Sequence, residues 1–156
     1  MAQAGERASD RSLALAAKAA VAITAAAAQP SKSLAAQLGA LSGEADKLGL
    51  QFLSVDASIH RAETLLKVGD AAGARQEADR ALARAETIGF KLLLANAHHL
   101  RGELLRRAND PQARAEYASA LRILEEMKAD EGNQAVLKRT DLTAMHDDCV
   151  RWSKGA

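Results

Sequence analysis

Lys67–Phe90 reads KVGDAAGARQEADRALARAETIGF, and Arg106–Met127 reads RRANDPQARAEYASALRILEEM. Each stretch opens on a turn pair, Gly69-Asp70 or Asn109-Asp110, and runs into an alanine-rich helical pattern. Ala74, Ala78 and Ala81 in the first correspond to Ala113, Tyr117 and Ala120 in the second, with one residue deleted near Pro111. A chain that writes the same turn and helix twice is built from repeats, and that reading decides the fold.

Working outward, Ala22, Ala62 and Gly102 stand at steps of about 40, and small residues there let two helices approach closely. Leu48-Gly49-Leu50 returns as Ile88-Gly89-Phe90. The sequence therefore divides into three copies of one unit, roughly Leu13–Phe52, Leu53–Leu92 and Leu93–Asp130. In the second copy, Val55, Ile59, Ala62, Leu65 and Leu66 recur at helical spacing and mark one buried face. Gly69 stops that helix, and Asp70 is placed to cap the next by accepting a hydrogen bond from a free backbone N–H. Ala74, Ala78, Ala81, Leu82, Ala85 and Ile88 form the apolar face of the following helix, which Gly89 ends. In the third copy Asp110 is the expected cap, with Pro111 in the first helical turn, where its missing N–H costs nothing.

The first copy has the weakest punctuation. Pro30 with Ser31 or Ser33 supplies the turn, and Leu34, Leu38 and Leu41 give the second helix its face. Its first helix, LALAAKAAVAITAAAA, is apolar nearly all round and calls for burial on more than one side. Ala19 and Ile23 are the residues expected to mediate self-association if that surface is left bare. Past Asp130 the pattern changes. Gly132-Asn133 is a break and QAVLKR fits a short helix. Leu142, Met145, Cys149 and Trp152 then line one face of a terminal helix begun at Thr140 or Asp141, suited to covering the last repeat.

Bulk properties agree with an all-α chain. Of the 156 residues, 48% are hydrophobic but only 3% aromatic, so the apolar content is mostly alanine and leucine, both strong helix formers. With 21 basic against 20 acidic residues the net charge is +1, which lacks the basic excess that nucleic-acid binding needs. The lone cysteine, Cys149, has no internal partner for a disulfide, which suits a reducing, cytoplasmic setting. Leu13–Pro30 has some of the grammar of a secretory signal, but Lys18 interrupts it and its apolar residues are alanines. No uncharged apolar run reaches membrane-spanning length, so no membrane role is expected.

These residues resemble tetratricopeptide (TPR) repeats. The second and third copies carry the resemblance over Val55–Met127, with an echo over Leu13–Gly49. Ala62 and Gly102 match the family's small position, Gly69-Asp70 its inter-helix turn, and Ala113, Tyr117 and Ala120 its small–aromatic–small pattern. The spacing of about 40 exceeds the standard length of about 34 and resembles longer-helix variants in bacterial signalling and regulatory proteins. The resemblance implies a right-handed α-solenoid of three helical hairpins plus a C-terminal capping helix. Residues 1–12 would be a flexible tail, and 13–156 one domain with units 13–52, 53–92 and 93–130 and a cap over 131–153.

The same resemblance implies a non-catalytic scaffold that binds protein or peptide in a groove lined by first helices. Matching positions are Asp56, Ile59, Glu63, Leu66 and Lys67 in the second copy and Asn96, His99, Glu103, Arg106 and Arg107 in the third. In the first copy they are Ala16, Ala19, Ile23, Ala26 and Ala27. A groove apolar at one end and charged at the other suits an amphipathic helix or an extended peptide with an acidic end. The alternatives are a small-molecule sensor and a self-assembly module.

Other clusters read as structure. His98 and His99 point about 100° apart on a helix and do not share an ion. His146 and Cys149 share a face but lack further ligands, and Cys149 falls on the apolar stripe. Arg101, Arg106 and Arg107 form the one local basic patch. No nucleophile elbow, phosphate loop or zinc-protease motif is present, so neither catalysis nor a cofactor is expected.

Overall fold

A computed structural model of the chain describes residues 2–129 and 140–154. These form seven helices: α1 (Ala2–Ala28), α2 (Lys32–Lys47), α3 (Gln51–Lys67), α4 (Ala71–Ile88), α5 (Lys91–Arg107), α6 (Ala113–Ala129) and α7 (Thr140–Ser153). The protein is all-α, with no strand among the described residues. The segment 1–12, expected as a tail, belongs to α1 from Ala2 onward. The short helix expected over QAVLKR lies outside the described residues.

The helices end in one repeated way. Gly49, Gly69, Gly89 and Asn109 all have positive φ, at 70°, 86°, 69° and 56°, and stand 20 apart in number. Only glycine, or asparagine at less cost than other residues, enters this left-handed region readily, so the chain reverses where these residues occur. At three of the four ends the next N–H reaches back five residues: Leu50 to the Ala45 carbonyl, Asp70 to Leu65 and Asp110 to Leu105, each at 2.9 Å. The left-handed residue itself donates to Asp46, Leu66 or Arg106. This double bond satisfies carbonyls that a helix end otherwise leaves open.

The starts differ. Asp70 Oδ1 accepts from the Gly73 N–H at 2.9 Å, the cap expected from the sequence. Asp110 Oδ1 instead accepts from Gln112 N–H, two residues on, at 2.9 Å. Pro111 therefore lies in a turn before α6 rather than in its first helical turn, and the Asp110 side chain closes that turn.

The chain divides into two compact units, Met1–Glu77 and Ala78–Ala156, with the boundary inside α4. In the first unit α1 packs on both α2 and α3. Leu15, Ala19, Ala22, Ala26, Leu38, Leu41 and Ala45 form its core, with Ile23, Leu34 and Leu53 against them. Alanine buries little surface per residue, so the cohesion of such a core comes from close helix approach and from its few leucines. Each of those contributes about 1.5–3 kcal/mol when fully buried. Between α2 and α3 the packing is polar. Ser54 Oγ donates to the Ser42 carbonyl and Ser42 Oγ to the Ser54 carbonyl, both at 2.9 Å, and Ser58 Oγ lies 3.0 Å from Ser42 Oγ. These three buried hydroxyls find one another, so none of them is left without a partner.

The second unit holds α5, α6 and α7 around Leu105, Tyr117, Ala120, Ile123, Leu124 and Met127, closed by Leu142, Met145 and Cys149 from α7. The Tyr117 ring rests on Gly102, where a Cβ would meet it at 3.1 Å. Both units repeat one ion pair. Arg61 Nη1 meets Glu77 Oε2 at 3.0 Å in the first, and Arg101 Nη1 meets Glu116 Oε1 at 3.6 Å in the second.

Candidate binding cleft

The sequence-selected positions on α3 gather around a residue the sequence reading passed over. His60 Nδ1 lies 3.0 Å from Glu63 Oε2, and His60 Nε2 lies 3.7 Å from Asp56 Oδ1. A histidine with an acid four residues before it and another three after it on a helix is the signal that could have found it. Burial works to lower the His60 pKa, but the hydrogen bond and charge of Glu63, with the charge of Asp56, outweigh it and hold the imidazole above its ordinary value. Burial raises the Asp56 carboxyl, and His60 offsets this in part. Ile59 is buried in the core, Leu66 is half-buried, and Lys67 is exposed.

On α5 the centre is Glu103. Arg106 donates to it through Nε at 3.0 Å and through Nη2 at 2.8 Å, Arg107 Nε donates at 2.7 Å, and the Tyr117 hydroxyl donates from α6 at 3.0 Å. Burial favours the neutral acid, but the hydrogen bonds from Arg107, Arg106 and Tyr117 prevail and hold Glu103 below the usual carboxylate range. Burial and the Glu103 charge push Tyr117 well above the ordinary phenol range. Glu103 is thus ionised and Tyr117 protonated at neutral pH. Arg101 pairs with Asp79 at 3.4 Å and with Glu116, so the basic patch expected of Arg101, Arg106 and Arg107 is divided, and each member meets a carboxylate.

Two aromatic contacts extend this set. His99 packs edge-on against Tyr117 with centroids 5.7 Å apart, and its Nε2 lies 3.6 Å from Asp148 of α7. The Arg106 guanidinium lies over the Trp152 indole, 4.7 Å from its centroid. Asn96 is half-buried on the same helix. Beside the Arg106–Trp152 pair an open cleft of about 390 Å³ is lined by Arg106, Asp110, Pro111, Arg114, Tyr117 and Trp152. Of these only Arg106 was selected from the sequence. Arg114 and Trp152 look like an ordinary surface arginine and a core aromatic until α6 and α7 are seen together.

The remaining candidates are placed as follows. His98 Nδ1 meets Glu116 Oε2 at 2.8 Å, and His146 Nε2 meets Glu125 Oε1 at 2.6 Å. No three His, Cys, Asp or Glu side chains converge as a metal set among the described residues. Cys149 is fully buried, and burial with the nearby Asp148 charge pushes its thiol up to about 12, far from the thiolate needed for reactivity.

On α1, Ala19 is fully buried against its own unit, and Ile23, half-buried, packs on the same core. Ala26 is buried too, whereas Ala16 and Ala27 are exposed. The free surface lies on the opposite side, where Leu13 is 73% and Val21 70% exposed. Thr24 on that side donates to the Ala20 carbonyl at 2.8 Å, which leaves the face drier still. By length and composition Ser9–Ala28 could cross a membrane, a test that the core helix of a soluble protein passes as well. Its other face, with Leu15, Ala19, Ala22 and Ala26, is packed inside the first unit.

No family model, curated protein or solved structure matches the chain. The functional reading therefore stands on the residues themselves.

Proposed function

We propose that the protein is a TPR-like right-handed α-solenoid whose work is non-catalytic binding of a protein or peptide, as a module of a bacterial regulatory system in the cytoplasm. The left-handed helix ends at regular spacing and the recurring Arg–Glu pair support the repeat. The observation that carries the binding reading is the open cleft of the second unit, with its indole, tyrosine and arginines. Such mixed apolar and cationic surfaces, built on rigid helices, serve recognition. The charge states around Glu103 are locked by strong pairing, which suits a fixed surface and not a proton-transfer centre.

Panning a random peptide library against the wild type and Trp152→Ala tests this reading. The wild type is expected to enrich a peptide family that Trp152→Ala does not. Identical or absent enrichment with both proteins contradicts it.

A second reading has its own observation, the exposed Leu13 and Val21 on α1. In it the outer face of α1 joins two copies. Sedimentation equilibrium would then show a mass that rises with concentration and falls to the monomer in Val21→Lys. A monomer mass at every concentration removes this reading.

A further inference from the structure

Among the described residues of α5 and α6, the arginines are accounted for with one exception. Arg101 is held by Asp79 and Glu116, Arg106 and Arg107 by Glu103, and Arg122 by Glu126. Arg114 alone among them meets no carboxylate, and it is exposed on the wall of the cleft. We propose that this cleft takes the carboxylate of an acidic side chain within a peptide, bound by Arg114, with the neighbouring apolar side chain of that peptide seated against Trp152 and Pro111. The proposal rests on the binding reading above and names the chemistry of the bound segment.

Three physical points favour this occupant. A guanidinium with free donors on a partly apolar wall binds a carboxylate bidentately, and an adjoining low-dielectric surface strengthens the bond. Another part of the lining is pre-organised. Arg106 is fixed by Glu103 and stacked on Trp152, so little side-chain freedom remains to be lost on binding. The volume of about 390 Å³ lies at the small end of ligand pockets, which suits one or two side chains and excludes a whole helix. One group opposes the ligand. Asp110 also lines the cleft, and although its Oδ1 accepts from Gln112 N–H, its charge repels an incoming carboxylate. That repulsion makes a second, opposite variant informative.

Trp152 is the only tryptophan, so its fluorescence reports on the cleft directly. The probes are acetyl-Glu-Leu-Phe-Glu and its counterpart with Gln in place of each Glu, each with a free-acid and an amidated end. Saturable change is expected with the Glu peptides and not with the amidated Gln peptide. Arg114→Glu should weaken binding by about tenfold or more, and Asp110→Asn should tighten it a few-fold, both with unchanged helicity. Arg114→Gln should fall between Arg114→Glu and wild type. Binding by both free-acid peptides and by neither amidated one would assign the site to a chain end and overturn the side-chain proposal. Equal binding of Glu and Gln peptides, indifferent to Arg114→Glu, would overturn the carboxylate assignment while leaving the binding reading intact. No response to any peptide up to about 1 mM would overturn the proposal, and library panning would then decide the broader reading separately.

Discussion

Glu63 on α3 and Glu103 on α5 occupy corresponding positions of the repeat, yet their surroundings differ. Glu63 and Asp56 flank the His60 imidazole, whereas Glu103 collects two guanidiniums and a phenol. The repeat thus fixes where a carboxylate sits, and the residues three and four positions later fix what it does. On α3 the result is an acidic row with a titratable centre. On α5 it is a rigid, charge-compensated support for the Arg106–Trp152 wall. The difference lies in Tyr117 as well. In the notation of the repeat it stands where Ala78 stands, and it spans from the Gly102 backbone to Glu103.

The hardest way to break the α5 arrangement is to remove that tyrosine. Tyr117→Ala leaves a cavity above Gly102 and takes away a hydrogen bond, and is expected to cost about 3–5 kcal/mol. A urea midpoint shifted by less than a third of that, at unchanged slope, would show that the ring is not the keystone of the second unit. Next in size, Glu103→Gln is expected to destabilise by about 1–3 kcal/mol, because charge-assisted bonds to three donors weaken together. The matched Glu63→Gln change should cost no more than about 0.5 kcal/mol, its carboxylate being more exposed. Equal losses at the two sites would erase the contrast.

The two turns form a smaller comparison. Asp70→Ala removes a helix cap and should cost about 1 kcal/mol. Asp110→Ala opens only a turn ahead of α6, and about half of that is expected. Thermal midpoints of the two variants decide it, and a larger loss at Asp110 would restore it as a helix cap.

The smallest effect is in pH. Because the folded His60 pKa is raised above 6.5, the imidazolium contributes stability that is fully present below the unfolded value. That contribution is lost as pH rises through the folded value, and His60→Gln should abolish the dependence. Urea unfolding of both proteins across neutral pH measures it. A wild type that gains stability over the same rise, relative to His60→Gln, would mean that burial outweighs the acids.

Most of the helical frame was legible because its signals are local. Gly49, Gly69 and Gly89 announce helix ends, and Asp70 a start, from the steric and hydrogen-bonding needs of single residues. The apolar spacing of Leu142, Met145 and Cys149 likewise placed the buried face of α7. The site was less legible because its contacts are not local. Nothing near Arg114 in sequence reveals that it lines a cleft together with Trp152, and nothing near Glu103 reveals the Tyr117 hydroxyl. The Ser42, Ser54 and Ser58 seam was missed because serines one helix apart look like surface until their hydroxyls are paired. On α1, alanine all round gives periodicity no purchase. Of the pair chosen for self-association, Ala19 is buried and Ile23 half-buried, while Leu13 and Val21 face out. The position of Pro111 depended on a single residue of turn geometry.

The most direct test of the account is a backbone and indole chemical-shift map of the protein titrated with a peptide recovered by panning. The account predicts saturable shifts centred on Arg114, Tyr117 and the Trp152 indole N–H, with α1 unmoved. Shifts confined to Leu13–Ala28, with the Trp152 indole signal unchanged at saturation, would contradict it and move recognition to the outer face of α1.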